Sequence, residues 1–437
     1  MSHAMLTVKW HGLGYAPVII GPQGCALTDV LAWTISEKRA GKSDSTLYSQ
    51  AHAVKRFADF WEHYHGQVSS ADLYRSCFEK LVHGNKPLGW KGVDLKSATR
   101  YLEYINRFAT WAAEQKGVND PNPMVEERGG WIKTLARMGL QRRSSMLGHL
   151  LPATRAGQGI IAHRQINPAR TSQRTSVPTV NQEYKAMLWD DYMTLLRHEQ
   201  SMRNLLLWLM LGAGGLRISE AVHLFVQDVR ATIDGEARVL LTDPRYGQIA
   251  IPCQSGGKKV MTREAYLKEY FGLTTRDQLK PRSTLYAGWK GMRVHDGKTM
   301  TAEIIWLHPD FGKMAWAAHR SYLAIRRLTD AKHPYYFVNI DYNGGNPLTI
   351  SNANGLLKDV CARLNILSAQ NLHSLRHLFG DTLHNRGGAE LDKVQVAMRH
   401  KNSTSTETYT RPLVELVRER LKQIDMLRPQ IGEKHEP

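Results

Sequence analysis

The sequence predicts a mainly helical α+β protein with one small β-sheet, and three observations carry that expectation. Ser45 through Trp61 and Leu95 through Ala113 place apolar residues at helical spacing. Arg238 through Thr242 and Ala302 through Leu307 are the best strand candidates, separated by about 60 residues, which is long for a hairpin loop. Between the two halves, Arg128 to Gln182 holds nine Lys or Arg residues and no Asp or Glu. With 437 residues the chain is long enough for two domains.

Each element follows from local pattern. Thr28-Asp29 can cap a helix running through Val30, Leu31 and Trp33. In 45–61 the apolar stripe is Leu47, Ala51, Val54, Phe57, Ala58 and Trp61; in 95–113 it is Ala98, Leu102, Ile105, Phe108, Ala109 and Ala112. Lys55, Arg56, Lys96, Arg100 and Arg107 fall between the stripes. The acid-free stretch carries Gly129, Gly130, Pro152, Gly157, Gly159, Pro168 and Pro178, so it reads as a linker over 126–186, suited to following a phosphate backbone. Arg142 and Arg143 lie inside it. Beyond it, Trp189 starts a helix, Leu205 to Leu211 forms a buried one, and Gly212-Ala-Gly-Gly lets the chain turn sharply. Ser219-Glu220 opens the next helix. The segment 243–301 reads as an insertion with some structure of its own. From Ala315 onward the pattern is mostly helical. Pro412 through Leu427 spaces Leu413, Leu416, Val417 and Leu421 as an amphipathic helix, suited to a neighbouring protomer or to its own domain. The division is therefore 1–125, a linker 126–186, 187–425, and a tail 426–437.

Composition excludes several classes. Mean hydropathy is −0.41, and no apolar run is long enough for a membrane span. The N-terminus lacks the pattern of a secretory signal. Cys25, Cys77, Cys253 and Cys361 are far apart and fit neither a zinc site nor a disulfide framework, which points to a reducing cytosol. No acidic cluster of the kind a two-metal nuclease requires occurs, which agrees with an expectation of no metal or other cofactor. Lys and Arg outnumber Asp and Glu by 58 to 40, a net charge of +18, which points to a nucleic-acid partner.

Three short segments carry chemistry through their order: Gly215-Leu-Arg217-Ile-Ser-Glu220, then His373-Ser-Leu-Arg376-His377, then Arg399-His400 with Tyr409 nine residues after the histidine. Together they resemble the catalytic boxes of the tyrosine recombinases, the phage integrase family. The first resembles that family's Gly-Leu-Arg-x-Ser-Glu box, the second its His-x-x-Arg-His box, and the third the run from its second histidine to its nucleophile. The resemblance covers roughly 187–425, closely only in the boxes; the N-terminal half fits the family's core-binding domain by layout.

The resemblance implies a helical core-binding domain followed by an integrase-type catalytic domain, and a covalent 3′-phosphotyrosine intermediate on Tyr409. Two guanidiniums, Arg217 and Arg376, would hold the nonbridging oxygens of the scissile phosphate, where charge builds in the transition state. His373 would handle the tyrosine proton, His400 would donate to the phosphate, and a lysine in a short turn between two strands would protonate the departing 5′-oxygen. Four lysines compete for that place: Lys290 first, Lys298 second, then Lys258 and Lys259. Glu220 would orient its neighbours. One departure is plain: Arg399 stands where the family usually has glycine before the histidine.

The function so implied is site-specific recombination, serving a mobile genetic element, on double-stranded DNA with a specific site. Four protomers would act on two DNA sites, with accessory DNA-bending factors as further partners and no membrane. The expected location is cytoplasmic, at the nucleoid. DNA contacts are expected at Lys55, Arg56, Lys96, Arg100, Arg142 and Arg143. The alternatives are a type IB topoisomerase, which shares the chemistry but needs no defined site, and a DNA-binding regulator that has lost catalysis.

Overall fold

The computed structural model describes residues 2–10, 14–69, 72–128, 160–166, 185–252, 257–340, 344–368 and 371–400. The chain divides into two compact units, Met1–Val177 and Pro178–Pro437.

The first unit opens with a hairpin of β1 (Ala4–Trp10) and β2 (Gly14–Ile20), paired antiparallel from Ala4 opposite Ile20. Four helices follow: α1 (Thr28–Arg39), α2 (Asp44–Tyr64), α3 (Leu73–His83) and α4 (Leu95–Lys116). Ser43 and Asp94 cap α2 and α4 by accepting from the backbone N–H three residues on, and Gly117 ends α4 in a left-handed conformation. The apolar stripes meet as expected: Ala53, Phe60, Phe78, Ala98, Leu102 and Ile105 form one buried cluster. Ile19, Val30, Trp33, Ala51 and Val54 form a second, which attaches the hairpin to α1 and α2. Two elements lie outside the sequence expectations, the β1–β2 hairpin and α3.

The segment read as a linker is not irregular throughout. Its start, β3 (Met124–Arg128), pairs antiparallel with β4 (Ile160–Arg164). Buried Asn122 donates to Asn106 and to the Ile166 carbonyl and accepts from the Ile166 N–H, and Arg164 reaches Asp120 at 2.8 Å. These polar ties give 160–166 a place in the first unit that composition did not reveal.

The second unit is built around one buried helix. α5 (Trp189–His198) leads to α6 (Met202–Trp208), which continues as a π-helical turn over Leu209–Ala213. Leu206 through Leu211 are fully enclosed, because a helix apolar on all sides is stable only in the centre of a core. Around it stand α7 (Ile218–Ala221), a three-stranded antiparallel sheet of β5 (Val229–Ala231), β6 (Ala237–Thr242) and β9 (Thr301–Glu303), and the helices α9 (Pro309–Arg327), α10 (Ile350–Arg363), α11 (His373–Asp381) and α12 (Leu391–Ala397). The two expected strands are neighbours in this sheet, with Leu241 opposite Ala302.

Between them the inserted segment folds as a second hairpin, β7 (Gln248–Pro252) with β8 (Lys258–Thr262), followed by α8 (Arg263–Phe271). Ile249 and Leu267 of the insertion pack with Phe225 and Tyr335 of the unit's body. Two buried arginines fasten it. Arg263 pairs with Asp228, and Arg276 donates to the carbonyls of Leu285, Val222 and Leu348 at 2.8, 3.0 and 3.0 Å. Among the described residues no helix is long and apolar enough to cross a membrane, and no group of His, Cys, Asp or Glu could hold a metal ion.

Candidate active site

The site begins at the turn after α6. Gly215 has φ +62°, and a Cβ there would lie 2.6 Å from the Phe379 ring, so only glycine lets this strand of chain pass α11. The turn delivers Arg217 to the N-terminus of α7. There its backbone N–H donates to Glu220 at 2.8 Å and its guanidinium binds the same carboxylate at 2.5 Å. α11 delivers the second cation. Arg376 is fully buried; one of its Nη atoms donates to the Gly215 carbonyl and the other to the Met398 carbonyl at 2.7 Å. It also stands 3.5 Å from Glu220. The first box and the third are thus bridged by the arginine of the second.

Arg399, the residue at the usual glycine position, has a place inside this centre. It is fully buried and lies at φ +57°. It occupies the position after Met398, the C-cap of α12: its N–H donates to the Val396 carbonyl, and the His400 N–H to the Gln395 carbonyl. This pair of bonds is a Schellman helix end, whose left-handed residue is usually glycine. An L-residue with a side chain costs about 1–2 kcal/mol in that conformation. The Arg399 guanidinium donates to Ala397 and Gly215 carbonyls at 2.9 and 2.8 Å and lies 3.8 Å from Glu220.

One carboxylate is therefore surrounded by three guanidiniums, and the centre carries an excess of positive charge. Burial by itself would raise the pKa of Glu220, but Arg376, Arg217 and Arg399 outweigh it and hold the carboxyl at about 2. The imidazoles answer in the same sense. Burial lowers His400 to about 3, with Arg376 and Arg217 adding to the shift. His373 lies exposed at the edge of the centre. Desolvation of its ring, then the charges of Arg376, Arg217 and Lys290, hold it below the ordinary histidine value. Its ring centre lies 4.9 Å from that of His377, edge to face. Both imidazoles are neutral at neutral pH, the state in which one can take a proton and the other can donate a hydrogen bond without carrying charge.

Arg217, His373, Arg376 and His400 are thus gathered in one place. Tyr409 lies outside the described residues, as do Arg142 and Arg143. The lysines separate. Lys259 is paired with Glu269 at 2.7 Å on the exterior, and Lys258 sits beside it on β8. Lys290 lies in irregular chain and not in a turn between two strands; it is exposed, and its charge is felt at His373. Lys298 occupies the tight turn before β9, where Asp296 and Thr301 bridge. Arg293 N–H donates to the Arg399 carbonyl at 3.2 Å, which ties this lysine-bearing segment to the histidine loop.

The DNA-contact candidates of the first unit also divide. Lys96 and Arg100 are exposed on α4. Lys55 is held by Asp59 at 2.7 Å, and Arg56 is half-buried, 5.4 Å from the Trp90 and the Tyr101 ring centres. Both have intramolecular work: the Lys55 pair runs four residues along α2, and the Arg56 contacts reach other segments. The sequence reading gave Arg399 no structural place; the unusual residue at a glycine position was the available signal.

Residues 283–415 match the model of the phage integrase family. The match takes in the second and third boxes and the position of Tyr409, and it leaves the Arg217 box outside. The chain is also similar to tyrosine recombinase XerD of Corynebacterium glutamicum, 33% identical over 109 residues that make up 25% of this chain and 35% of that protein. It therefore spans about a third of that relative's length. Among solved structures, XerH recombinase bound to palindromic difH substrate shares 13% identity with a TM-score of 0.48, covering 93% of this chain and 85% of that one. The Tn1549 transposon integrase in complex with transposon right end DNA shares 13% identity with a TM-score of 0.37, covering 85% and 99%.

Proposed function

We propose that this chain is a site-specific DNA recombinase that cuts and rejoins strands through Tyr409, in the service of a mobile genetic element. The observation that supports it is the convergence of Arg217, Arg376 and His400 about the Gly215–Glu220 turn, with His373 at the rim. Such a centre suits a phosphodiester gaining negative charge on its nonbridging oxygens.

In this reading the Tyr409 oxygen attacks the scissile phosphorus as His373 takes the phenolic proton. The new tyrosyl O–P bond forms as the P–O5′ bond breaks. Arg217 and Arg376 hold the nonbridging oxygens, and His400 donates to one of them. The leaving 5′-oxygen takes its proton from a lysine, assigned to Lys290, whose charge acts on His373. Attack by a 5′-hydroxyl from the partner strand reverses every step, so the phosphodiester is restored without an outside energy source. Four protomers on two DNA sites would exchange the strands in pairs. Lys96 and Arg100, with Arg142 and Arg143 of the linker, would follow the phosphate backbone, and accessory DNA-bending factors would assist assembly. The working location is the cytoplasm, at the nucleoid.

The test uses a pool of nicked duplexes of random sequence, in which cleavage beside the nick traps the enzyme on DNA. Wild-type chain should yield a denaturant-resistant adduct carrying a restricted set of sequences, and Tyr409→Phe should yield none. Equal behaviour of the two proteins sinks the reading. Adducts on every sequence alike, with relaxation of any supercoiled plasmid, would identify a topoisomerase instead.

A further inference from the structure

We propose that Arg399 is a positioning residue, which clamps the Gly215 carbonyl and the Glu220 carboxylate so that Arg217 and Arg376 are set before DNA arrives. The inference rests on the strand-transfer reading above, and three observations carry it.

First, its conformation is one for which glycine is the ordinary choice. Arg399 closes the Schellman end of α12 at φ +57°, where a side chain opposes the local backbone preference. Something must compensate for keeping a long charged side chain there and burying it completely.

Second, the compensation is directed at the site. The guanidinium spans two segments far apart in sequence: Ala397 beside its own backbone, and the Gly215 carbonyl with Glu220 behind it. Gly215 also accepts from Arg376, and Glu220 also binds Arg217. Arg399 therefore shares one acceptor with each of the two arginines assigned to the phosphate. Its guanidinium is turned to the Ala397 and Gly215 carbonyls and the Glu220 carboxylate. Its action passes through the groups it holds.

Third, its backbone carbonyl accepts from the Arg293 N–H at 3.2 Å. The residue thus joins the turn of the first box, the histidine loop, and the segment that carries Lys290 and Lys298. A planar guanidinium with a fork of donors can reach Ala397, Gly215 and Glu220 together; a lysine ammonium supplies the charge without that fixed geometry.

The experiment compares full-length wild type, Arg399→Gly and Arg399→Lys on the duplex recovered from the random pool, reading DNA affinity and single-turnover cleavage rate separately. Arg399→Gly restores the favoured backbone residue and removes the clamp. It should bind DNA with unchanged affinity and cleave about 100-fold more slowly, the scale of a small misplacement of catalytic groups. Arg399→Lys should fall between the two. Wild-type cleavage by Arg399→Gly overturns the proposal. So does loss of affinity and melting temperature with an unchanged cleavage rate, the mark of a purely structural residue.

A second measurement stands apart from activity. Melting temperatures of Arg399→Gly, Glu220→Gln and the double variant should be non-additive, the double variant melting within about 2 °C of the less stable single one. Additive losses overturn the clamp. If wild type forms no adduct while the losses are non-additive, it is the recombinase reading that fails and the clamp that stands.

Discussion

Glu220 is the carboxylate to which every described cation of the centre is referred. It accepts from the Arg217 backbone and side chain and faces Arg376 and Arg399, so its charge fixes where theirs lie. The first and second arginines were legible as motif residues. The carboxylate's central position was not, because three contacts reach it from residues 3, 156 and 179 positions away in sequence. The leaving-group acid is tested at this same scale. Sulfur in place of the bridging 5′-oxygen leaves as a thiolate, near pKa ~8.5, with little need of a proton. Lys290→Ala should cleave the ordinary duplex at least ~100-fold more slowly and recover on the sulfur-substituted one, while Lys298→Ala behaves as wild type on both. Rescue of Lys298→Ala instead would transfer the role to the turn before β9.

At the scale of elements, period and capping made most helices readable. α2 and α4 stand where apolar spacing expects them, because a helix in water is held mainly by burial of one face, and α6 stands on the continuous apolar run from Leu205. The β1–β2 hairpin, α3 and the pairing of β3 with β4 were not readable. Their partners are set by contacts across distant sequence, such as Asn122 with Ile166 and Ile19 with Trp33. The same distinction sorts the basic residues of the first unit. Lys96 and Arg100 are free to meet phosphate, whereas Lys55 is tied to Asp59. Alanine at Lys96 or Arg100 should weaken DNA binding alike on all sequences and reduce the slope of log affinity against log salt by about 1 each. Titrations over a salt series check this; an unchanged slope would remove α4 from the DNA path. Alanine at Lys55 should lower the melting temperature and leave that slope intact.

For the whole molecule, acid is the informative perturbation. Burial holds His223, His319 and His333 at about 4 and His400 at about 3, all below the ordinary 6.5. Between those values the unfolded chain binds protons that the folded chain refuses, so stability falls as pH drops below about 6.5. Glu220 adds to the loss lower down, between 4.5 unfolded and about 2 folded. Denaturant midpoints at pH 7.5, 6 and 5 should decline steadily, and a flat series would show that these imidazoles are not desolvated as described.

The sequence by itself determined the helical class, the two strands of the central sheet, the family resemblance and the order of the chemical groups. Those properties live in local periodicity and in residue types at short spacing. Only the tertiary structure decided that Arg399 enters the centre from a glycine position, that Arg56 lies against the Trp90 and Tyr101 rings, and that Arg276 fastens the insertion to the distant Val222 and Leu348 carbonyls. The physical reason is common to all of these: burial leaves a charge no water, so its partners are whatever groups the fold brings within reach, and spacing along the chain does not encode them.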